Sequence, residues 1–191
     1  MRNNNFYHHT LLLTTLALIF FNISPVSSKA NPKVLVFFKT AGFHHNSIAV
    51  GTVAIQKLGA ENKFDVDTTT DNEKFNLENL KKYKAVIFLS TTGDVLNDSQ
   101  QDAFEKYIKG GGGFMGIHAA TDCEYDWPWY GNLVGAYFAF HPAQQVATLD
   151  IVDQNNIATK HLPNPWIRKD EWYSFKWMAK GLHELITIDE K

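Results

Sequence analysis

Cysteine is scarce in this sequence. Its 191 residues include one, Cys123, so the chain cannot form an internal disulfide. Stability must come from a hydrophobic core, and an apolar content of 45% is sufficient to build one. The chain also lacks a large excess of charge of either sign, because its formal net charge is −2. A chain without an excess of basic residues is a poor nucleic-acid binder, so we expect no nucleic-acid partner.

The sequence also lacks an apolar run long enough to span a membrane near its start. The run Leu11–Ile23 has about thirteen residues, where a spanning helix needs roughly 20. Arg2 precedes this run and small residues follow it, which is the layout of a secretory signal peptide. We therefore expect residues 1–28 to be a signal peptide, with cleavage after Ser28 or Ala30. The mature protein would be periplasmic or extracellular, with no stable membrane span.

Strand and helix signals alternate along the rest of the chain. Strands are predicted at Lys33–Phe38, Phe64–Thr69, Ala85–Leu89, Phe114–Ile117, Gln145–Val152 and Leu185–Ile188. Helices are predicted from Ser47 to Gly59, Leu77 to Tyr83, Asn97 to Gly110 and Pro128 to Phe138. Asn97, with Gln100 three places on, resembles a capping box. This alternation indicates βαβ units, and therefore an α/β fold with a largely parallel sheet and helices on both faces.

Three polar loops follow predicted strands and mark the place of a site. Ligands of open α/β sheets bind beyond the carboxyl ends of the strands. The loops that leave strands there are residues 40–47, 90–94 and 118–129. We expect them to form one rim, with Thr40 and Thr92 among the residues that contact a substrate.

The segment Gly116–Ala120 has the outline of a strand-to-helix elbow, whose middle position usually holds a Ser or Cys nucleophile. Here that position is His118, which can act as a general base or a metal ligand but does not replace a thiolate in acyl transfer. Glutamine hydrolysis is therefore disfavoured. Acyl transfer through Cys123 is the least favoured hypothesis, because the acids around this residue would raise the pKa of its thiol.

Histidines are concentrated in the segments predicted at this rim. His45, His118 and His141 could together hold a divalent metal such as zinc, since imidazole is a common ligand of that ion. Their wide separation along the chain matches no metal-binding motif. The alternative is that each is a histidine satisfied by hydrogen bonds within the core.

Carboxylates near these histidines suggest acid/base chemistry, which on a sugar needs one group as acid and another as base. We expect His118, Asp122 and Glu171 to be catalytic. In this hypothesis His118 is the base or a metal ligand, Asp122 orients it, and Glu171 with His141 completes the acid/base or metal set. For Glu124 and Asp126 we expect a solvated surface or a helix cap.

All five tryptophans lie between Trp127 and Trp177. Flat aromatic rings often serve as platforms for sugars, although core packing is their commoner role. Trp127 and Trp172 lie beside acids and histidines in the sequence, so we expect these two to contact a carbohydrate.

Three segments resemble the signature sequences of the trehalose-utilisation (ThuA-like) family, and the resemblance extends from Lys33 to Lys191. They are KVLVFFKTAGFHHNSI, GFMGIHAATDCEYDWPWYGNLVGAYFAFHP and DEWYSF. The resemblance implies a flavodoxin-like three-layer sandwich, similar to class I glutamine amidotransferases, and a role in carbohydrate metabolism. The family pattern places five rim residues at His45, His118, Asp122, His141 and Glu171.

The sequence departs from this family pattern in two ways. His44 stands where the family often has arginine, so a contact to an anion or hydroxyl could differ there. The chain also ends before the family's usual last segment, so we expect residues 29–191 to be a ThuA-like domain that lacks its C-terminal part.

Together these observations predict an exported protein that acts on a sugar or an oxidised glycoside by acid/base or metal-assisted chemistry, as a hydrolase or a related enzyme. The alternative is a non-catalytic carbohydrate-binding module built from the same loops. The sequence leaves the exact substrate and the oligomeric state open.

Overall fold

A computed structural model describes residues 30–189 of the chain. The signal peptide predicted at residues 1–28 lies outside these residues. Within residues 30–189, none of the helices combines the length and the apolar character needed to cross a membrane.

Regular structure alternates between strands and helices up to residue 134 and then becomes mostly strand. The strands of the described residues are β1 (Lys33–Phe37), β2 (Asp65–Thr69), β3 (Ala85–Leu89), β4 (Gly113–Ile117), β5 (Ala136–Phe140), β6 (Gln145–Ile151), β7 (Trp166–Asp170), β8 (Ser174–Met178) and β9 (Ile186–Ile188). The helices there are α1 (Ser47–Asn62), α2 (Leu77–Leu80), α3 (Asp98–Lys109) and α4 (Pro128–Val134), and short 3-10 turns cover Asn72–Lys74 and His118–Thr121.

The first four strands form a parallel sheet in the order β2-β1-β3-β4. The two central strands are the apolar runs that the sequence predicts to be buried on both faces, and Val36, Phe37, Val86 and Phe88 are fully buried there. The predicted α/β fold with a parallel sheet and flanking helices is confirmed.

Side chains on the two faces of this sheet enter different hydrophobic clusters, as the two-residue period of a strand requires. On one face, Phe37 and Phe88 join an aromatic core with Phe75 and Phe104. The rings of Phe37 and Phe75 lie 4.5 Å apart, and those of Phe88 and Phe104 lie 5.4 Å apart. On the other face, Val36 packs in a smaller cluster with residues of α1 and β3. The sheet is therefore covered on both sides.

Helix α1 runs past Gly59, which the sequence analysis took as its end. The helix ends at Asn62, and Lys63 caps it in the left-handed conformation with φ of 59°. A Cβ atom at Gly59 would lie 2.7 Å from the carbonyl oxygen of Phe64 and equally close to a methyl group of Val66. This glycine thus permits close packing of the helix against the next strand.

The predicted end of α2 is wrong, whereas both predicted ends of α3 are confirmed. Helix α2 ends at Leu80 and does not reach Tyr83. The capping box of α3 is confirmed, because the side chain of Asn97 accepts from the backbone N–H of Gln100 while that of Gln100 accepts from Asn97. Gly110 caps the end of α3, as predicted.

The predicted helix Pro128–Phe138 is wrong in its second half. Gly135, with φ of 92°, ends α4, and residues from Ala136 onward form β5. Strand β5 pairs antiparallel with β8. Neither of these two strands is predicted from the sequence.

Strands β6, β7 and β9 form a separate antiparallel sheet with β6 in its centre. The predicted strands near residues 145 and 186 are therefore present, but they do not extend the parallel sheet. Strand β7 was not predicted. It carries Asp170 at its end and leads directly into Glu171.

Backbone bridges tie together the loops that follow β1, β3 and β4. Thr40 pairs with Thr92, and Gly93 pairs with Cys123. The side chain of Thr92 is fully buried, and its hydroxyl donates to the carbonyl of Phe43 at 2.8 Å and accepts from the N–H of Gly42 at 3.2 Å. Thr92 therefore fixes the loop that carries His45.

The buried carboxylate of Glu124 also connects separate segments of the chain. One of its oxygens accepts from the backbone N–H groups of Val95 and Leu96 at 2.8 and 2.9 Å, and the other accepts from the side chain of Gln101 at 2.6 Å. The expectation of a solvated surface or a helix cap is wrong for Glu124, which is 2% exposed. Burial raises the pKa of Glu124, although the hydrogen bonds oppose this effect.

Replacing Glu124 with glutamine tests this burial. A glutamic acid whose pKa is higher in the folded protein binds its proton more tightly there, so its ionisation costs stability as the pH rises from about 4.5 through the raised pKa. We expect the free energy of unfolding of the wild type, minus that of Glu124→Gln, to fall as the pH increases across this window. Urea unfolding at a series of pH values measures it. A difference that is constant or grows with pH would contradict this explanation.

Replacing Thr92 with valine tests whether its hydroxyl fixes the loop between β1 and α1, which carries His45. The substitution keeps the shape but removes a hydroxyl that pairs with two backbone groups of the loop after β1, so we expect a loss of about 1 kcal/mol in the free energy of unfolding. Amide hydrogen exchange in residues 41–45 should also accelerate. Thr40→Val is the matched control. Within residues 30–189 the hydroxyl of Thr40 pairs with the ring of His44 at 3.3 Å in an exposed position, so its removal should cost less than about 0.5 kcal/mol. Equal effects of the two substitutions would contradict this role of Thr92.

Candidate functional site

His118 occupies a strained elbow at the end of β4. Its φ of 53° lies in the left-handed region, which is uncommon for a residue other than glycine. Such strain costs on the order of 1–3 kcal/mol and persists only where the surrounding structure enforces it. The 3-10 turn that starts at His118 leads the chain away at once, and the imidazole is left at the rim with 29% of its side chain exposed.

Three imidazoles surround one carboxylate at this rim. The Nε2 atom of His118 lies 3.1 Å from Oε2 of Glu171, and Nε2 of His45 lies 3.9 Å from the same oxygen. The Nε2 atom of His141 lies 3.5 Å from Oε1 of Glu171. We call these four residues the histidine–glutamate cluster. They follow β1, β4, β5 and β7, so residues far apart in the sequence are brought together.

Tyr173 belongs to the same site, although the sequence analysis did not select it. Its hydroxyl lies 3.0 Å from Nε2 of His118 and 3.4 Å from Nε2 of His45. Burial, followed by the charges of Glu171 and Asp122, raises the pKa of Tyr173 well above its usual value. The phenol therefore keeps its proton and can donate it in a hydrogen bond. A signal was present, because Tyr173 lies two residues after Glu171 in the segment DEWYSF.

His45 is held in the neutral form. Burial lowers the pKa of His45, and the neighbouring His118 lowers it further, while Glu171 and Asp122 oppose the shift. Its Nδ1 atom is buried and has no hydrogen-bond partner among residues 30–189. The other ring nitrogen, Nε2, is thus the one that serves the cluster.

A cavity of about 460 Å³ opens over this cluster, within the usual size range for small-molecule sites. Its walls include Phe43, His45, Asn46, Ser47, His118, Gln144, Asp170 and Glu171. This lining combines the apolar ring of Phe43 with mostly polar side chains, which suits a ligand that carries hydroxyl groups.

Asp122 lies near the cluster but does not bind His118 in the described part of the chain. The hydroxyl of Tyr125 donates to its carboxylate at 2.5 Å. Its charge acts on His45 and Tyr173 through space. The contacts expected between Asp122 and His118 are made by Glu171 and Tyr173.

The two threonines and the two tryptophans selected from the sequence have separate positions. Thr40 contacts His44 on the loop that follows β1. Thr92 is buried, and its hydroxyl bonds to the backbone of that same loop. Trp127 packs in the aromatic core, with its ring 5.1 Å from that of Trp129. Trp172 lies beside the cluster, donates from its indole N–H to the carbonyl of Gln145 at 2.9 Å, and lines a neighbouring cavity of about 420 Å³.

Cys123 is fully buried in the main core. Burial raises the pKa of its thiol far above its usual range, and the nearby acids add to this effect. A thiol in this position is a poor nucleophile, which counts against acyl transfer through Cys123.

Comparison with known proteins agrees with this architecture. The ThuA family, described as trehalose utilisation, matches residues 33–191. The crystal structure of a ThuA-like protein from Bacteroides uniformis superposes with a TM-score of 0.69 at 27% sequence identity, covering 87% of this chain and 72% of that chain. No match was found among curated proteins. On the strength of the family match and the shared fold, this chain belongs to the ThuA (trehalose utilisation) family.

Proposed function

We propose that the protein is an exported enzyme that acts on a sugar or an oxidised glycoside, and that the histidine–glutamate cluster performs acid/base or metal-assisted chemistry on it. The observation that carries the proposal is the convergence of three imidazoles on the carboxylate of Glu171. Membership of the trehalose-utilisation family supports a carbohydrate as the substrate class.

The groups of the site are divided into proton donors and acceptors by their surroundings. Tyr173 keeps its proton because its pKa is raised, and His45 stays without an added proton because its pKa is lowered. His118 and Glu171, 3.1 Å apart, can share a proton between them. In our proposal Glu171 or His118 removes a proton from the substrate, and Tyr173 donates to the oxygen on which charge develops.

One carboxylate among imidazoles favours an oxidised glycoside over a simple one. Glycoside hydrolysis commonly uses two carboxyl groups on opposite sides of the bond. Here Asp122 is bound by Tyr125, and Asp170 on the cavity wall is paired with Arg168. A carbonyl on the sugar ring acidifies the adjacent C–H bond, so a single base and a single donor can start the cleavage.

The sugar ring would be held by Trp172. This indole is partly exposed, is fixed by its hydrogen bond to Gln145, and lines the cavity that also contacts Tyr173. A flat ring held in this way offers the apolar face of a sugar a rigid platform. Polar groups around both cavities can bind the hydroxyls.

The decisive variant is Glu171→Gln, which preserves volume and removes the charge. We expect a fall in kcat of about 100-fold or more on disaccharides or their keto derivatives, because a positioned base contributes roughly that much. Glu184→Gln, at an exposed position, is the matched control and should retain full activity. His118→Ala should be impaired as severely as Glu171→Gln. Wild-type turnover in both cluster variants would exclude the proposal.

The same preparations distinguish a non-catalytic carbohydrate-binding module. Calorimetric titration with the sugars measures affinity without requiring turnover. Binding without turnover in the wild type, weakened by Trp172→Ala and preserved in Glu171→Gln, would replace the enzyme hypothesis with that of a binding module.

A further inference from the structure

The donor atoms of the cluster have the arrangement of a cation site. One ring nitrogen from each of His45 and His118 and a carboxylate oxygen of Glu171 all lie within 4.8 Å of one another. Each comes from a different loop, and the loops after β1 and β4 are connected through the backbone bridges around Thr92 and Gly93. We propose that His45, His118 and Glu171 bind one divalent transition-metal ion of the zinc class.

The distances between these atoms agree with this assignment. A four-coordinate ion with bonds of about 2.0–2.1 Å keeps its ligand atoms roughly 3.3 Å apart. The oxygen of Glu171 lies 3.1 Å from Nε2 of His118 and 3.9 Å from Nε2 of His45, and these values lie on either side of that spacing. Small side-chain rotations would be enough to complete the site.

His141 contacts the carboxylate of Glu171 from its other side. Its Nδ1 atom lies 3.0 Å from the carbonyl oxygen of Pro142, which can only accept, so Nδ1 carries a hydrogen. The Nε2 atom faces Oε1 of Glu171 at 3.5 Å, whereas His45 and His118 lie closest to Oε2. His141 thereby helps to hold the carboxylate beside the other two imidazoles.

This assignment changes the metal site predicted from the sequence. The sequence suggested three histidines, whereas the structure replaces His141 with Glu171 in the group of close donors. His141 is the most exposed of the four side chains in the cluster, at 40%, and faces the other oxygen of the carboxylate.

The types of donor define the kind of ion. Two imidazoles and one carboxylate favour zinc and its neighbours in the first transition row over magnesium or calcium, which prefer oxygen ligands. Three protein ligands also leave a position open for substrate or water, as in catalytic zinc sites. This inference rests on the proposed function only for the ion's purpose, which would be to polarise a sugar carbonyl or hydroxyl.

Metal titration of the full chain tests the proposal. The protein is treated with a chelator, dialysed and titrated with Co²⁺ and Zn²⁺, and binding is followed by calorimetry and by the visible absorption of Co²⁺. We expect one ion per chain with a d–d spectrum of four- or five-coordinate Co²⁺. His118→Ala and Glu171→Gln should each weaken binding by at least about 100-fold.

The controls are two histidines outside the cluster. His44→Ala changes the residue next to His45, and His183→Ala removes a separate pairing with Asp153; both variants should bind like the wild type. His45→Gln provides a third cluster variant in case His118→Ala fails to fold, and thermal unfolding monitors this. Absence of heat and of a Co²⁺ spectrum in the wild type, or undiminished binding in folded cluster variants, would overturn the proposal.

The results also separate this inference from the proposed function. Metal binding without turnover of any sugar would support the ion site and count against the enzyme. Full sugar turnover by the chelator-treated protein, still abolished in Glu171→Gln, would exclude a role of the ion in the reaction and leave the acid/base proposal intact.

Discussion

The carboxylate of Glu171 is the feature on which the arrangement of the site depends. Its side chain is only 18% exposed, so its charge needs compensation from within the protein. His45, His118 and His141 place ring nitrogens 3.9, 3.1 and 3.5 Å from its oxygens. Because they follow β1, β4 and β5 while Glu171 follows β7, this attraction also joins the antiparallel strands to the rim of the parallel sheet.

The sequence predicted the parts that depend on local patterns. The apolar runs of β1 and β3 are continuous and buried, and Asn97 with Gln100 carries its own helix-start signal. The rim loops followed from the rule for parallel sheets. Strands β7 and β8 were missed because charged residues interrupt WIRKD and SFKWM, and their partners are remote in the sequence.

Tertiary contacts decide the surroundings of individual residues in these loops. Thr92 lies in a rim loop, as expected of a binding residue, but its hydroxyl forms hydrogen bonds with the backbone of the neighbouring loop. Trp127 lies in the predicted segment and is drawn into the aromatic core. Tyr173 lies two residues after Glu171 in the sequence, but its contacts with two histidines depend on how distant segments are arranged in space.

The elbow explains why this α/β scaffold can support chemistry other than acyl transfer. A strained strand-to-turn position projects whichever side chain it carries beyond the sheet, and the reaction then depends on that residue. A serine or cysteine there would serve as a nucleophile. His118 instead offers a nitrogen lone pair, and the only cysteine of the chain, Cys123, is buried with a raised pKa. Because a nitrogen lone pair can bind either a proton or a metal ion, the same geometry is compatible with both the acid/base and the metal-assisted mechanism that we propose.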